Sequence, residues 1–232
     1  MKRALVTGAT SGIGEAICLK LLELEYQVYG IGRDFSKVDI DDKNFIECKI
    51  DLLEDDFEKK LPKIKELNIL VHSAGIGYFA PHEELSFKQI SDQIDLNLKL
   101  PLLITNYYLR DLKKNSGYIF LINSISAIEP AIGGATYGAS KAGLRHFGRS
   151  LFKEARKSGL KVININPNIT KSNFHKNSYF TYYQDPLCYI EPKDIANIIE
   201  DILSLKSGTV VSDITIDTQI FRLEKNRKVA KN

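Results

Sequence analysis

A tyrosine and a lysine four residues apart, in Thr136-Tyr137-Gly138-Ala139-Ser140-Lys141, have the chemistry to move a proton. On a helix that spacing places the phenol and the ammonium on one face. A free phenol has a pKa of about 10 and is a poor proton donor or acceptor near neutrality. A cation beside it favours the phenolate and brings the group towards working pH. The pattern recurs at Tyr189 and Lys193, so the pair does not identify itself. Pro192 lies inside the second match and predicts a helix entry there, with no shared face.

The residues that must position this pair alternate between two kinds of element. Strand-like runs fall at Arg3–Thr7, Gln27–Gly32, Asn44–Ile50, Ile69–His72, Tyr118–Asn123, Lys161–Asn166 and Thr209–Ile216. Several are continuous apolar runs rich in Val and Ile, as a parallel sheet covered on both faces requires. Helical patterns fill the gaps at about 12–25, 54–66, 86–112, 136–158 and 191–204. Pro101 falls inside the long 86–112 pattern and predicts a kink, because it removes a helix hydrogen bond. The alternation predicts an α/β fold: a doubly wound, Rossmann-like parallel sheet of seven strands with helices on both faces. Ligands then sit at the carboxyl ends of the strands.

The 232 residues suit one domain, 1–232, with a sizeable core. An apolar fraction of 44% and a charged fraction of 26% are ordinary for a soluble globular protein. No apolar run approaches the ~20 residues that span a bilayer. The start, Met1-Lys2-Arg3-Ala4-Leu5-Val6-Thr7-Gly8, reads as a strand and not a signal peptide, so a cytoplasmic location without membrane contact is expected. Cys18, Cys48 and Cys188 share no metal-ligand spacing and are expected as free thiols, with no metal site. Of the net charge of +3, the tail 222–232 carries +4: Arg222, Lys225, Arg227, Lys228 and Lys231 against Glu224. With no broader basic patch, that tail is expected to be a solvated terminus rather than a nucleic-acid contact.

Between the first strand and the first helix lies Thr7-Gly8-Ala9-Thr10-Ser11-Gly12-Ile13-Gly14. Glycines there permit a tight turn and close backbone approach to a pyrophosphate, and the helix N-terminus offers free N–H groups. This Gly-x-x-x-Gly-x-Gly spacing resembles the short-chain dehydrogenase/reductase family, in its single-domain subtype of about this length. The family's extended epimerase and dehydratase branch would need a glycine at Ser11. The resemblance implies a nicotinamide cofactor held by Gly8, Thr10, Ser11, Gly12, Ile13 and Gly14.

The second strand ends at Gly32, followed by Arg33 and Asp34. An acid at a strand end suits the ribose hydroxyls of NAD, whereas an arginine nearby pairs with the 2′-phosphate of NADP. Within the family Gly32-Arg33 favours NADP(H) over NAD(H), and Asp34 is the competing group. The resemblance also implies that Asp51 and Leu52 contact the adenine. Ala74 and Gly75 would lie against the cofactor, in His72-Ser73-Ala74-Gly75 where the family has Asn-Asn-Ala-Gly. His72 reads as a hydrogen-bonded core residue. Pro167 and Ile169 would hold the nicotinamide amide. Asn168 replaces the family's glycine, and its tolerance of positive φ is expected to preserve the turn.

The resemblance separates the two tyrosine–lysine pairs. Ser124 stands thirteen residues before Tyr137, at the end of the fifth strand, and Asn97 lies twenty-seven before Ser124. The family pattern then assigns catalysis to Asn97, Ser124, Tyr137 and Lys141. Tyr137 would exchange a proton with the substrate oxygen, and Lys141 would lower its pKa and hold the nicotinamide ribose. Ser124 would orient the substrate, and Asn97 would fix a water that reprotonates the lysine. The implied reaction moves a hydride between a nicotinamide and a small carbonyl or alcohol. The alternatives are a non-catalytic NADP sensor and an isomerase or dehydratase on the same fold.

A substrate loop is expected at about 170–190, carrying Phe174, Tyr179, Phe180, Tyr182, Tyr183 and Tyr189, with Tyr78, Phe79 and His82 as a facing wall. Those aromatics serve either an apolar pocket or the loop's own packing. The family implies a homodimer or homotetramer through the 86–112 and 136–158 helices.

Overall fold

A computed structural model describes residues 1–176 and 178–226. Its main sheet has seven strands: β1 (Arg3–Thr7), β2 (Gln27–Gly32), β3 (Phe45–Lys49), β4 (Leu67–His72), β5 (Tyr118–Ile122), β6 (Lys161–Pro167) and β8 (Asp213–Ile216). They lie in the order β3-β2-β1-β4-β5-β6-β8, and every neighbouring pair is parallel. The order reverses between β1 and β4, which opens a crevice at their carboxyl ends.

The strands are apolar on both faces because both faces are covered. In β1, Ala4 and Val6 join a core under helices α1 (Gly12–Glu23) and α6 (Pro192–Ser204), while Leu5 joins the opposite core. That opposite core contains Leu100, Ile104, Tyr108 and Leu112 of α4 (Leu100–Lys114), and Leu144 and Leu151 of α5 (Ala135–Ala155). The period-2 alternation therefore sorts each strand's side chains between two packed layers.

Several boundaries differ from the sequence expectation, each for a local reason. The helix expected over 54–66 is one turn, α2 (Phe57–Lys60). Leu61 precedes Pro62 and adopts φ −58°, ψ 132°, the extended conformation that a following proline favours, and the helix stops. Strand β4 begins two residues earlier than expected, at Leu67, which pairs with Arg3 of β1 across a register shift, where the Asn68 side chain accepts the Arg3 N–H at 2.9 Å. The last sheet strand is four residues, Asp213–Ile216, not eight.

The long 86–112 pattern is three segments: α3 (Phe87–Ile94), a π-helical turn at Asp95–Lys99, and α4. Ser86 and Gln89 form a capping box at the start of α3. The irregularity expected at Pro101 thus lies one turn earlier. Pro101 has no N–H to offer the Asn97 carbonyl four residues back, and the turn carrying that carbonyl is the widened one.

One element was not anticipated. β7 (Phe180–Tyr182) pairs antiparallel with β9 (Leu223–Lys225), as a separate two-stranded sheet. The Asn226 N–H donates to the Tyr179 carbonyl, and its side chain to the Lys176 carbonyl. The Arg222 guanidinium lies 3.9 Å from the Tyr183 ring centroid. The first half of the expected solvated tail is therefore a strap on the 170–190 segment; the remainder of that tail lies outside the described residues.

Candidate active site

The glycine turn after β1 packs backbone against backbone. A Cβ at Gly14 would lie 2.1 Å from the Gly8 carbonyl oxygen, and one at Gly8 would lie 2.8 Å from Ala74 backbone atoms. Gly8 and Gly12 have φ +70° and +59°, where a side chain is strained. Thr7 ties this turn to the end of β4, its hydroxyl accepting the Ser73 and Ala74 N–H groups at 3.2 Å each. Ser11 is the N-cap of α1 but makes no side-chain capping bond, which leaves the first N–H groups of the helix open to an anion. Thr10 packs over the end of β2, its methyl only 2.2 Å from where a Cβ at Gly32 would be. These observations fit a dinucleotide's pyrophosphate.

Beyond Gly32, Arg33 is exposed and makes no ion pair among the described residues. Asp34 turns away from it: its carboxylate accepts the Ser36 N–H at 2.9 Å, and that bond holds its pKa below the usual carboxylate value. Asp51 follows β3 and accepts the Leu53 N–H at 3.0 Å, with Leu52 buried beside it. The Ile169 N–H donates to the Asn168 side chain and its carbonyl accepts from Ile190, so both backbone groups are engaged within the chain. Asn168 does not use positive φ. Instead its N–H donates to the Ile216 carbonyl and its side-chain amide to Asp217, so hydrogen bonds to the edge strand and its exit make the turn.

Tyr137 and Lys141 lie in the first turns of α5, both buried, with the ammonium 5.9 Å from the phenol ring centroid. Lys141 donates to the Ile122 carbonyl at 2.8 Å, at the end of β5. Ser124 follows that strand, and its hydroxyl accepts the Ser126 N–H at 3.1 Å. The two-residue gap between Ile122 and Ser124 thus holds the lysine and the serine against the same helix.

Burial controls the protonation states here. It pushes the Tyr137 phenol up to about 12, and the hydrogen bond with Ser124 only partly opposes this. Burial also brings Lys141 down to about 8. The expectation that Lys141 lowers the phenol's pKa is not met in the chain alone, where loss of water outweighs a cation beyond hydrogen-bond reach.

Asn97 is fully buried, and its side chain makes three hydrogen bonds. The Ile76 N–H donates to its Oδ1 at 2.9 Å, while its Nδ2 donates to the Ile76 carbonyl at 2.8 Å and to Ser140 Oγ at 3.1 Å. A Cβ at Gly75 would lie 3.1 Å from Asn97 Oδ1 and 3.5 Å from Lys141 Nζ, so the loop after β4 presses directly on both groups. His72 is buried in the core, bonded to Thr105 at 2.9 Å, as expected.

The second tyrosine–lysine pair separates as expected. Tyr189 is extended (φ −148°, ψ 159°), α6 starts at Pro192, and Lys171, not Lys193, lies over the Tyr189 ring. Of the residues expected to face the substrate, Phe79 and Phe174 reach Tyr137, with ring centroids at 5.1 and 5.8 Å. Phe180 reaches Phe79. Tyr182 packs instead with Tyr189, Lys171 lies over Tyr189, and Arg222 lies over Tyr183. Tyr78 bonds Gln93 through its backbone, and His82 lies 3.4 Å from Thr136 Oγ1. Sequence reasoning missed Thr7 and Ser140, although both fall inside the motifs that carried it, and His175, which stacks among the phenylalanines.

Comparison with known proteins agrees with this geometry. A family profile described as short chain dehydrogenase matches residues 2–181. An uncharacterized oxidoreductase of Staphylococcus epidermidis is 30% identical over 227 residues, covering 93% of this chain and 96% of its own. An alcohol dehydrogenase of the archaeon Thermococcus sibiricus, complexed with 5-hydroxy-NADP, superposes with TM-score 0.84 at 22% identity, over 97% of this chain and 99% of its own. A 4-hydroxyisoleucine dehydrogenase complexed with NADH superposes with TM-score 0.80 at 23% identity, over 94% and 98%. With the glycine turn, the sheet order and the serine–tyrosine–lysine group, the chain belongs to the short-chain dehydrogenase/reductase family of NAD(P)-dependent oxidoreductases.

Proposed function

We propose that this chain interconverts a small carbonyl compound and its alcohol, with Tyr137 as general acid/base and NADP(H) as the preferred cofactor. The observation that carries the reading is the placement of Tyr137, Ser124 and Lys141 at the carboxyl edge of the sheet, against the loop that Thr7 ties to the glycine turn. A bound nicotinamide supplies or receives the hydride.

Each residue has a task its surroundings support. Tyr137, held near 12, is protonated at neutral pH and suits donation to a carbonyl oxygen. Ser124, whose interaction with that phenol favours its charged form, can share the developing charge on the same oxygen. Lys141, near 8, sits close enough to neutrality to exchange its own proton, and Asn97 holds the loop beside it. Gly8, Thr10, Ser11, Gly12, Ile13 and Gly14 would hold the pyrophosphate, Asp51 and Leu52 the adenine end, and Ala74, Gly75 and Pro167 the nicotinamide end. Arg33, exposed and in no ion pair among the described residues, while Asp34 accepts the Ser36 N–H, supports recognition of a 2′-phosphate. Exposed Leu103 and Tyr107 on α4 support a homo-oligomer through that face.

The test is a panel of carbonyl compounds and alcohols followed by NADPH absorbance, for the wild type and Tyr137→Phe. The phenylalanine keeps the ring and removes the proton, and turnover should fall about 100- to 10,000-fold. Turnover close to wild type would refute the role of Tyr137. Tight NADPH binding with no turnover on the whole panel would favour a sensor.

A further inference from the structure

The loop after β4 and the 170–190 segment, distant in sequence, meet at the Tyr137 ring. Phe79 comes from the loop after β4, Phe174 from a 3₁₀ turn at Asn173–His175, and Phe180 from β7. Phe79 and Phe174 contact Tyr137, and Phe180 backs Phe79 at 5.1 Å. Gly77 makes room for them: a Cβ there would lie 2.5 Å from Phe79 and 3.0 Å from Phe174. Ile132 and Tyr179 are exposed at the same edge, linked by the Tyr179 hydroxyl and the Ile132 carbonyl at 3.5 Å.

The wall beside Tyr137 is aromatic and carries no charged side chain of its own, and Lys176, the residue after His175, is exposed. His175 stacks on Phe79, Phe174 and Phe180, and burial brings its pKa down to about 4, so it is neutral. Its Nδ1 is buried without a hydrogen-bond partner among the described residues. Lys171 is paired with Glu191 at 2.9 Å, Arg222 stacks on Tyr183, and Lys141 is bonded to Ile122. A carboxylate entering beside Tyr137 would lose its water, and among the described residues the aromatic wall itself offers it no cation. A neutral ring loses little and gains two aromatic faces.

From this we infer that Phe79 and Phe174 are specificity residues, and that the substrate is a neutral, ring-bearing ketone, aldehyde or alcohol rather than an oxo acid or amino acid. The inference rests on the oxidoreductase reading above. Its physical content is an aromatic wall that moves aside for a ring and then packs on it, with the uncharged His175 as the wall's polar member.

The test compares cyclohexanone and benzaldehyde with pyruvate, and cyclohexanol with serine, in the matching directions. The readouts are kcat/KM and the thermal shift that each compound adds to the protein with cofactor. The neutral ring compounds should exceed the charged ones by about 100-fold or more in kcat/KM. Phe174→Ala should lower kcat/KM for the ring compounds about tenfold or more, mainly through KM, and Phe174→Leu should restore part of it. Turnover of pyruvate or serine as good as the rings, abolished in Tyr137→Phe, overturns the substrate class and leaves the oxidoreductase reading standing. If no compound turns over, the oxidoreductase reading fails on this panel. The ring preference is then judged by the thermal shift alone, and equal shifts for pyruvate and cyclohexanone overturn it.

Discussion

Replacing His72 by asparagine should remove much of this protein's sensitivity to acid. His72 ends β4, under the loop that presses on Lys141, and burial with the nearby Lys141 charge lowers its pKa from 6.5 to about 3. Its Nε2 is bonded to Thr105, and its Nδ1 has no partner among the described residues. The unfolded chain therefore takes up the proton before the folded one does. The stability this contributes is complete above pH 6.5 and is lost as pH falls from 6.5 towards 3. Over the whole window the loss is about 5 kcal/mol, at about 1.4 kcal/mol per pH unit, and about 2 kcal/mol of it is gone by pH 5. Urea unfolding of wild type and His72→Asn at about pH 7 and about pH 5 isolates the effect. The substitution has a fixed cost from the altered Thr105 contact, present at both pH values. Other groups, His175 included, titrate in both proteins and cancel in the difference. The wild type should lose about 2 kcal/mol more than the variant between the two conditions. Equal losses would show that His72 is not held neutral, and would refute the burial argument.

Arg33→Ala should raise the KM for NADPH about 10- to 100-fold while leaving that for NADH nearly unchanged, as steady-state kinetics would show; equal effects would sink the 2′-phosphate assignment. Gly14→Ala places a methyl 2.1 Å from the Gly8 carbonyl oxygen and should abolish the thermal shift that NADPH adds, whereas an unchanged shift would mean the turn is free to open. Asn97→Leu leaves the Ile76 N–H and carbonyl without their side-chain partner. It should cost about 1–3 kcal/mol for each group left buried, read by chemical denaturation, and a cost near zero would show that the loop does not depend on this clamp. Truncation after Thr218 removes β9 and the Arg222–Tyr183 contact. It should raise substrate KM several-fold while leaving NADPH affinity within about twofold; loss of both together would mean that the strap supports the whole domain and not the 170–190 segment.

Much of the fold is legible in the chain because its signals are local. Alternating apolar strands and helical patterns gave the architecture, and all seven sheet strands were found with ends shifted by a few residues. The 54–66 helix failed because Pro62 dictates an extended Leu61, and periodicity alone does not register that. β9 was missed because Leu223-Glu224-Lys225 has no strand pattern of its own, and it becomes a strand only where β7 offers an edge. The position of the helix irregularity was similarly misjudged by one turn, since the proline's effect falls on the carbonyl it fails to pair.

What the sequence determined by itself is the set of groups and the elements that carry them: the glycine turn, the parallel sheet, and a serine, a tyrosine and a lysine at strand end and helix start. Those follow from spacing, turn chemistry and residue type, which act within a few residues. The tertiary structure decided the electrical state of those groups and the surface they face. Tyr137 is raised and Lys141 lowered because both are withdrawn from water, and burial is a property of the whole packed chain. Phe79 and Phe174 meet at one phenol, with Phe180 behind Phe79, only because separate loops converge at the end of the sheet, a distance that no sequence interval encodes.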